Sequence, residues 1–245
     1  MPRSSRRRAA RRRRSPRRIP SFGSRRSVAC GRRCSRAGAA SSISRASAEV
    51  RIIAGAYKGR RLTTPRGETT RPTADQVRIA LLDALMPWLP EARVLDLFAG
   101  AGGVGLEALS RGAAHATFVE RDARAVQALR ANVTGLGVER AARVVRGDVR
   151  RALQTLRREA ERFDVVFLDP PYEGDDVAST LDALGGAELL GGGAVVVAQH
   201  RTKRAPAASV GALSAFRTRR FGETTLTFFR RAAADEGRAS GPVGG

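Results

Sequence analysis

The sequence predicts an α/β fold of Rossmann-like type: a mostly parallel seven-stranded sheet with helices on both faces, plus a small N-terminal β-hairpin extension. Three observations carry this. Short apolar runs such as Val94–Phe98 and Val165–Leu168 do not alternate with polar residues, as expected of strands covered on both faces. Helical stretches separate these runs, and the alternation persists from residue 94 to residue 198. The first run feeds a turn in which Gly100, Gly102 and Gly105 have the G-x-G-x-x-G spacing, so backbone there can approach a ligand closely at a helix N-terminus.

Ordered pattern begins at Val50. Arg51–Ala54 and Lys58–Leu62 flank Gly55 and read as a short basic hairpin. Thr73–Leu85 reads as a helix, with Thr73 as N-cap and Gln76 three residues on. Val77, Leu81, Leu82 and Leu85 form its apolar stripe, and Pro87 ends it. Strands are expected at Val94–Phe98, Ala116–Val119, Arg143–Val145, Val165–Leu168 and Ala194–Ala198, and helices at Gly103–Ser110, Arg124–Val133, Val149–Glu161 and Val177–Leu184. Ser214–Phe221 and Thr224–Arg230 would close the fold as a hairpin turning at Gly222. The implied organisation is a leader over residues 1–48, a basic hairpin unit over 49–72, the main domain over 73–231 and a frayed tail over 232–245.

Charge is unevenly placed. The net charge is +22, but 16 of the 45 basic residues are arginines within residues 1–48, which hold no acidic residue. The 29 that remain face all 23 acidic residues, a moderate excess compatible with a polyanionic partner. A leader of Arg, Ser, Ala and Gly cannot bury a core and is expected to be disordered. Three origins fit it: a start-site artefact with the native start at Val50, a solvated basic arm that helps hold RNA, or an organellar transit peptide. Both cysteines, Cys30 and Cys34, lie there; none remains for a disulfide framework or zinc cluster in the body, which suits a reducing compartment. No run approaches 18 apolar residues, which argues against a membrane span, and no apolar segment follows the arginines as a secretory signal requires. A cytoplasmic location follows, or an organellar one if the leader is a transit peptide. His115 and His200 stand isolated, so no metal site is expected.

The glycine turn alone identifies no ligand, because dinucleotide enzymes share it. Glu120 closes the next strand 20 residues after Gly100, where a carboxylate can bind a ribose diol. Asp96 precedes the glycines inside the strand end, close to where a cationic amino-acid moiety would lie. Asp148 follows the third strand, placed to accept from an adenine amino group, to cap the next helix, or both. Together these favour S-adenosylmethionine, with Asp96, Gly100, Gly102, Gly105, Glu120 and Asp148 as the cofactor set.

The fourth strand runs directly into Asp169-Pro170-Pro171-Tyr172. An exocyclic amine of a base is a poor nucleophile because its lone pair is delocalised into the ring. A site that methylates it must accept hydrogen bonds from both N–H groups; Asp169 supplies one acceptor and the Pro170 carbonyl the other. The prolines remove competing N–H donors and stiffen the turn. Tyr172 offers a flat face for stacking a flipped base. The expected reaction is methyl transfer to a base amino group, aligned in line and without metal.

With those residues placed, residues 50–231 resemble the RsmD family, bacterial methyltransferases that modify a guanine N2 of small-subunit ribosomal RNA. The resemblance lies in Arg51-Ile52-Ile53-Ala54-Gly55, Lys58-Gly59-Arg60, Arg71-Pro72-Thr73, Asp75 and Val77-Arg78, then in Leu95–Gly100, Gly105–Gly112, Asp169–Tyr172 and Arg220–Thr224. It implies a class I methyltransferase fold, S-adenosylmethionine as cofactor, and 16S ribosomal RNA or the small subunit as partner. The leader and His200 depart from the family pattern. Without the resemblance, Asp169–Tyr172 would serve adenine N6 or cytosine N4 in DNA or RNA equally well, and a non-catalytic RNA-binding assembly protein could keep the same fold. Arg51, Lys58, Arg60 and Arg61 are the expected RNA grip. Trp88 is expected to pack the helix end, while Arg150, Arg151, Arg157 and Arg158 form either a solvated face or an RNA patch. Nothing requires more than a monomer.

Overall fold

The structure, a computed structural model, describes residues 50–65, 72–171, 176–185 and 188–231. The expectations for residues 1–48, for 232–245, and for Arg71 and Tyr172 lie outside the described residues. In chain order the elements are α1 (Pro72–Leu85), β1 (Arg93–Leu97), α2 (Gly103–Ser110), β2 (His115–Glu120), α3 (Ala123–Leu136), β3 (Ala142–Arg146) and α4 (Val149–Arg158). They continue with β4 (Phe163–Leu168), α5 (Asp176–Gly185), β5 (Leu190–Arg201), β6 (Ser209–Val210), β7 (Leu213–Phe221) and β8 (Thr224–Arg231).

Among the described residues one sheet runs in the order β3-β2-β1-β4-β5-β8-β7-β6. The first five strands pair in parallel and the last three antiparallel. The α/β class is as expected, but the sheet has eight strands, not seven. The additional strand, β6, is two residues long, too short to leave a hydrophobic period in the sequence.

The two faces carry separate cores. Leu81 and Leu82 of α1, Leu106 of α2 and Leu129 of α3 cover one face, against Val94, Phe118 and Val195. Leu153 and Leu156 of α4 and Leu181 and Leu184 of α5 cover the other, against Leu95, Val119, Val166 and Val196. Each such leucine is fully or nearly fully buried, which stabilises the fold by roughly 1.5–3 kcal/mol apiece. Local signals fix the helix ends. Asp122 caps α3 by accepting from Arg124 N and Ala125 N, both at 2.8 Å, and Gly137 stops it at φ 72. The first helix begins one residue before the expected cap at Thr73, because the fixed φ and missing N–H of Pro72 suit the first helical position. The fourth stops at Arg158 rather than Glu161: Ala160 turns left-handed at φ 54, and Glu161 N donates back to Leu156 O at 3.1 Å.

The basic hairpin differs most from expectation. Its arms share one antiparallel bridge, Arg51↔Arg61, with Ile52 N donating to Arg60 O at 2.9 Å and Leu62 N to Val50 O at 2.8 Å. No longer ladder forms because the amides of residues 53, 54, 56 and 57 turn to α2. Ile53 N and Ala54 N donate to the Glu107 carboxylate at 2.7 and 2.8 Å. Ala56 N donates to Ser110 O at 2.7 Å and Tyr57 N to Ser110 Oγ at 3.0 Å. Gly55 permits this approach, since a Cβ there would stand 1.8 Å from Ser110 O. Farther on, Thr63 and Asn132 exchange bonds, Thr63 N to Oδ1 at 2.7 Å and Nδ2 to Thr63 O at 2.9 Å. Val50, Ile52 and Leu62 are buried in the same cluster as α1, α2 and α3.

Glu107 is 0% exposed and also takes Arg111 Nε at 3.0 Å. Its removal strands two backbone amides and takes from Arg111 its buried partner, leaving that guanidinium with Asp83 alone. Glu107→Ala is therefore expected to lower unfolding free energy by about 3–5 kcal/mol, the usual range for breaking a buried ion pair from one side. Urea denaturation measures this, and a change under about 1 kcal/mol would contradict the role given to Glu107.

Candidate active site

The strand order places β1 beside β4, where the chain has finished building the sheet in one direction and begins in the other. Their parallel register sets Leu97 opposite Leu168, and Asp169 N lies 3.5 Å from Leu97 O. The glycine turn after β1 and the Asp169 loop after β4 therefore leave the sheet side by side, the position at which open α/β sheets bind ligands.

The three glycines of the turn have different jobs. Gly100 has φ 55, with nothing within 4 Å of where a Cβ would be, so it borders open space. Gly102 has φ 86 and sits under Leu129, whose Cδ1 would be 2.3 Å from an added Cβ. Gly105 lies within α2 and is pressed on Phe118, with 2.3 Å to Cε1; it sets the helix–sheet distance. Phe98, just before the turn, adopts φ 63, a conformation that costs a bulky residue about 1–3 kcal/mol and gathers at functional sites.

Four carboxylates surround this point. Asp96 is 1% exposed and accepts from Gly105 N at 2.9 Å. Burial pushes its pKa up to about 7, with the Asp169 and Glu120 charges adding to the rise. Asp169 is likewise pushed up to about 7 by burial, while a hydrogen bond with Gln199 pulls the other way. A nearby cation would reverse both shifts. Glu120 accepts from Gly100 N through Oε2 and from Asp122 N through Oε1, both at 2.8 Å. Asp148 caps α4 through Oδ1, accepting from Arg150 N at 3.0 Å and Arg151 N at 3.4 Å.

Glu120 and Asp148 meet in one cavity, lined also by Phe98, Val149, Ser179 and Thr180. Asp96 stands apart from it, buried behind the glycine turn with Oδ2 engaged by Gly105. A second cleft adjoins Pro170 and Pro171 and is lined by Val177, Gln199, Arg201 and Arg204. Gln199, Arg201 and Arg204 were not anticipated from sequence. Gln199 meets Asp169 because β5 pairs with β4, Ala198 opposite Leu168, and only the strand order reveals that.

The expected RNA grip lies elsewhere. Arg51, Lys58, Arg60 and Arg61 are exposed, and none lines either cavity. Arg60 Nη2 donates to Gly135 O at the end of α3. Trp88 packs against the core and stands 6.5 Å from the Phe216 ring. His200 is buried, with Nε2 2.8 Å from Thr227 Oγ1 and Nδ1 2.9 Å from Arg201 O, a structural role. Among the described residues no group of three or more His, Cys, Asp or Glu is placed to hold a metal ion, and no helix is long and apolar enough to cross a membrane.

Comparison with known proteins agrees with this layout. A family model described as conserved hypothetical protein 95 matches residues 50–230. Ribosomal RNA small subunit methyltransferase D of Escherichia coli (strain K12) is 33% identical over 193 residues, covering 79% of this chain and 96% of that protein. The Bacillus subtilis (strain 168) protein YlbH is 36% identical over 182 residues, covering 74% and 99%. A solved structure of a hypothetical protein from Thermus thermophilus matches with a TM-score of 0.63 at 37% identity, covering 73% of this chain and 98% of that one. The chain belongs to the conserved hypothetical protein 95 family, the family of ribosomal RNA small subunit methyltransferase D.

Proposed function

We propose that this protein uses S-adenosylmethionine to methylate the exocyclic N2 of a guanine in small-subunit (16S) ribosomal RNA, acting as a monomer in the cytoplasm. The observation that carries the reading is the placement of Asp169 and Pro170 beside the glycine turn, one strand away, where a base amine and a cofactor would meet. The named relative and the family support ribosomal RNA as substrate.

The residues fit the cofactor. Two carboxylates, Asp96 and Asp169, are held near neutral by burial and suit a cationic ligand. Gly100 leaves open space at the turn. Each Glu120 oxygen accepts one backbone N–H and keeps a lone pair for a ribose hydroxyl. The cap bonds of Asp148 use Oδ1, leaving Oδ2 for an adenine amino group. When bound, the cofactor supplies an electrophilic methyl group on a sulfonium.

The remaining chemistry belongs to the chain. Asp169 and the Pro170 carbonyl accept the two N–H bonds of the guanine amine, drawing its lone pair out of the ring and towards the methyl group. As the nitrogen gains the methyl, one of its protons passes to Asp169, the acceptor already hydrogen-bonded to that amine. Gln199 orients that carboxylate. Tyr172 is assigned the stacking face for the flipped base. Arg201 and Arg204 meet backbone phosphates beside the cleft, with Arg51, Lys58, Arg60 and Arg61 extending the contact.

Asp169→Ala is expected to cut methyl transfer to ribosomal RNA by at least about 100-fold, as loss of one transition-state contact does, while S-adenosylmethionine binding by calorimetry survives, weakened only several-fold, because Asp96 still faces the cationic ligand. Near-normal activity would refute the mechanism. Digesting the modified RNA identifies the nucleoside: N2-methylguanosine is expected, and N6-methyladenosine or N4-methylcytidine would shift the reading to another base. The pH profile of kcat/KM for S-adenosylmethionine reports the free enzyme. Because Asp96 and Asp169 must be ionised and both hold protons below about 7, the profile is expected to fall on the acid side of about 7 and level above it. A flat profile between about pH 5.5 and 8 would contradict the assignment.

A further inference from the structure

Arg78 of α1 is buried, at 9% exposed. Both of its described hydrogen bonds use Nη2, to Arg51 O at 2.9 Å and to Asp75 Oδ1 at 3.1 Å. Its Nε is buried without any partner. The guanidinium points at the start of α2: Nη1 stands 3.1 Å from where a Gly103 side chain would begin. A buried donor without an acceptor costs about 1–3 kcal/mol, more for a charged group, so such a group invites a ligand.

The end of α2 that it faces has the same deficit. The N-cap, Gly102, has no side chain to accept from the first turn. Gly105 N is taken by Asp96 and Leu106 N by Gly102 O, which leaves the Gly103 and Val104 amides at a positive helix end. An anion completes both at once. Glycine at position 103 keeps the space between them open. Burial also lowers the pKa of Arg78 from its ordinary value despite Asp75 and Glu107, so a further anion has something to stabilise.

We infer that Arg78 and the first turn of α2 bind the α-carboxylate of the methionine moiety of S-adenosylmethionine. The inference rests on the cofactor reading above and adds the subsite that reading left without a residue. It divides the amino-acid end of the ligand by charge: the carboxylate goes to Arg78, while the cationic groups face Asp96 and Asp169.

Calorimetry with S-adenosylmethionine and with its decarboxylated analogue tests this. The analogue is the more cationic ligand, so Asp96 and Asp169 alone would favour it. The wild-type protein is expected to bind S-adenosylmethionine at least about tenfold more tightly than the analogue, the scale of a charge-assisted hydrogen bond. Arg78→Met is expected to abolish that preference while binding the analogue as the wild type does. Equal weakening of both ligands would make Arg78 a structural clamp only and overturn the inference. So would an unchanged preference coupled to loss of RNA affinity, which would assign the guanidinium to a phosphate. If Arg78→Met does not fold, Arg78→Lys keeps the charge without the fork and should lose the preference several-fold; an unchanged preference would count against the subsite. A wild type that binds neither ligand overturns the cofactor reading itself, a failure distinct from loss of discrimination.

Discussion

Because β1 and β4 pair in register, with Leu97 opposite Leu168, two loops far apart in sequence leave the sheet at the same height, about 4.8 Å apart. The helices then follow from handedness. Right-handed crossovers send α2 and α3 to one face, and after the reversal α4 and α5 to the other. Neither set covers the strand ends at the reversal, so a crevice remains there. Closing the crevice would require a different strand order, not merely a different loop.

The burial that makes this sheet stable also governs the chemistry. Asp96 occupies a strand position whose neighbours are apolar, and the cost of its ionisation is what raises its pKa. Glu120 and Asp148 are less secluded and do two things at once. Glu120 fixes the backbone of the glycine turn through Gly100 N, and Asp148 fixes the start of α4. A ligand that met either would find it already oriented, with no rotamer left to freeze.

Most of this was legible in the sequence because each signal was local. The apolar runs marked β1, β2 and β4, and the glycine turn located α2 to the residue, since glycine freedom and helix period act over a few positions. Asp169 stands out through the Asp169–Tyr172 loop that follows β4, and Glu120 because it ends β2. What escaped was set by non-local pairing. Gln199 carries no mark of its own and matters only because β5 lies beside β4. Glu107 reads as an ordinary helical acid until the turn containing Gly55 is seen against Ser110. The docking of the basic hairpin is non-local in the same way: its charges mark a surface, while the amides between them bond to Glu107 and Ser110. Arg78, noticed in sequence only as part of a family pattern, gained meaning from an unpartnered nitrogen.

The docking of residues 53–63 onto α2 and α3 also orders events in time. Their partners lie 53 to 69 positions later in the chain. During synthesis at about 5–20 residues per second, this segment emerges seconds before anything can receive it. Val50, Ile52 and Leu62 are apolar and must wait exposed until the helices carrying Glu107 and Asn132 have formed. This segment is thus made early and secured only once α3 is complete, and its long-range closure sets a lower limit on how soon the glycine turn, tied to it through Asn132 and Ala101 O at 2.9 Å, can settle.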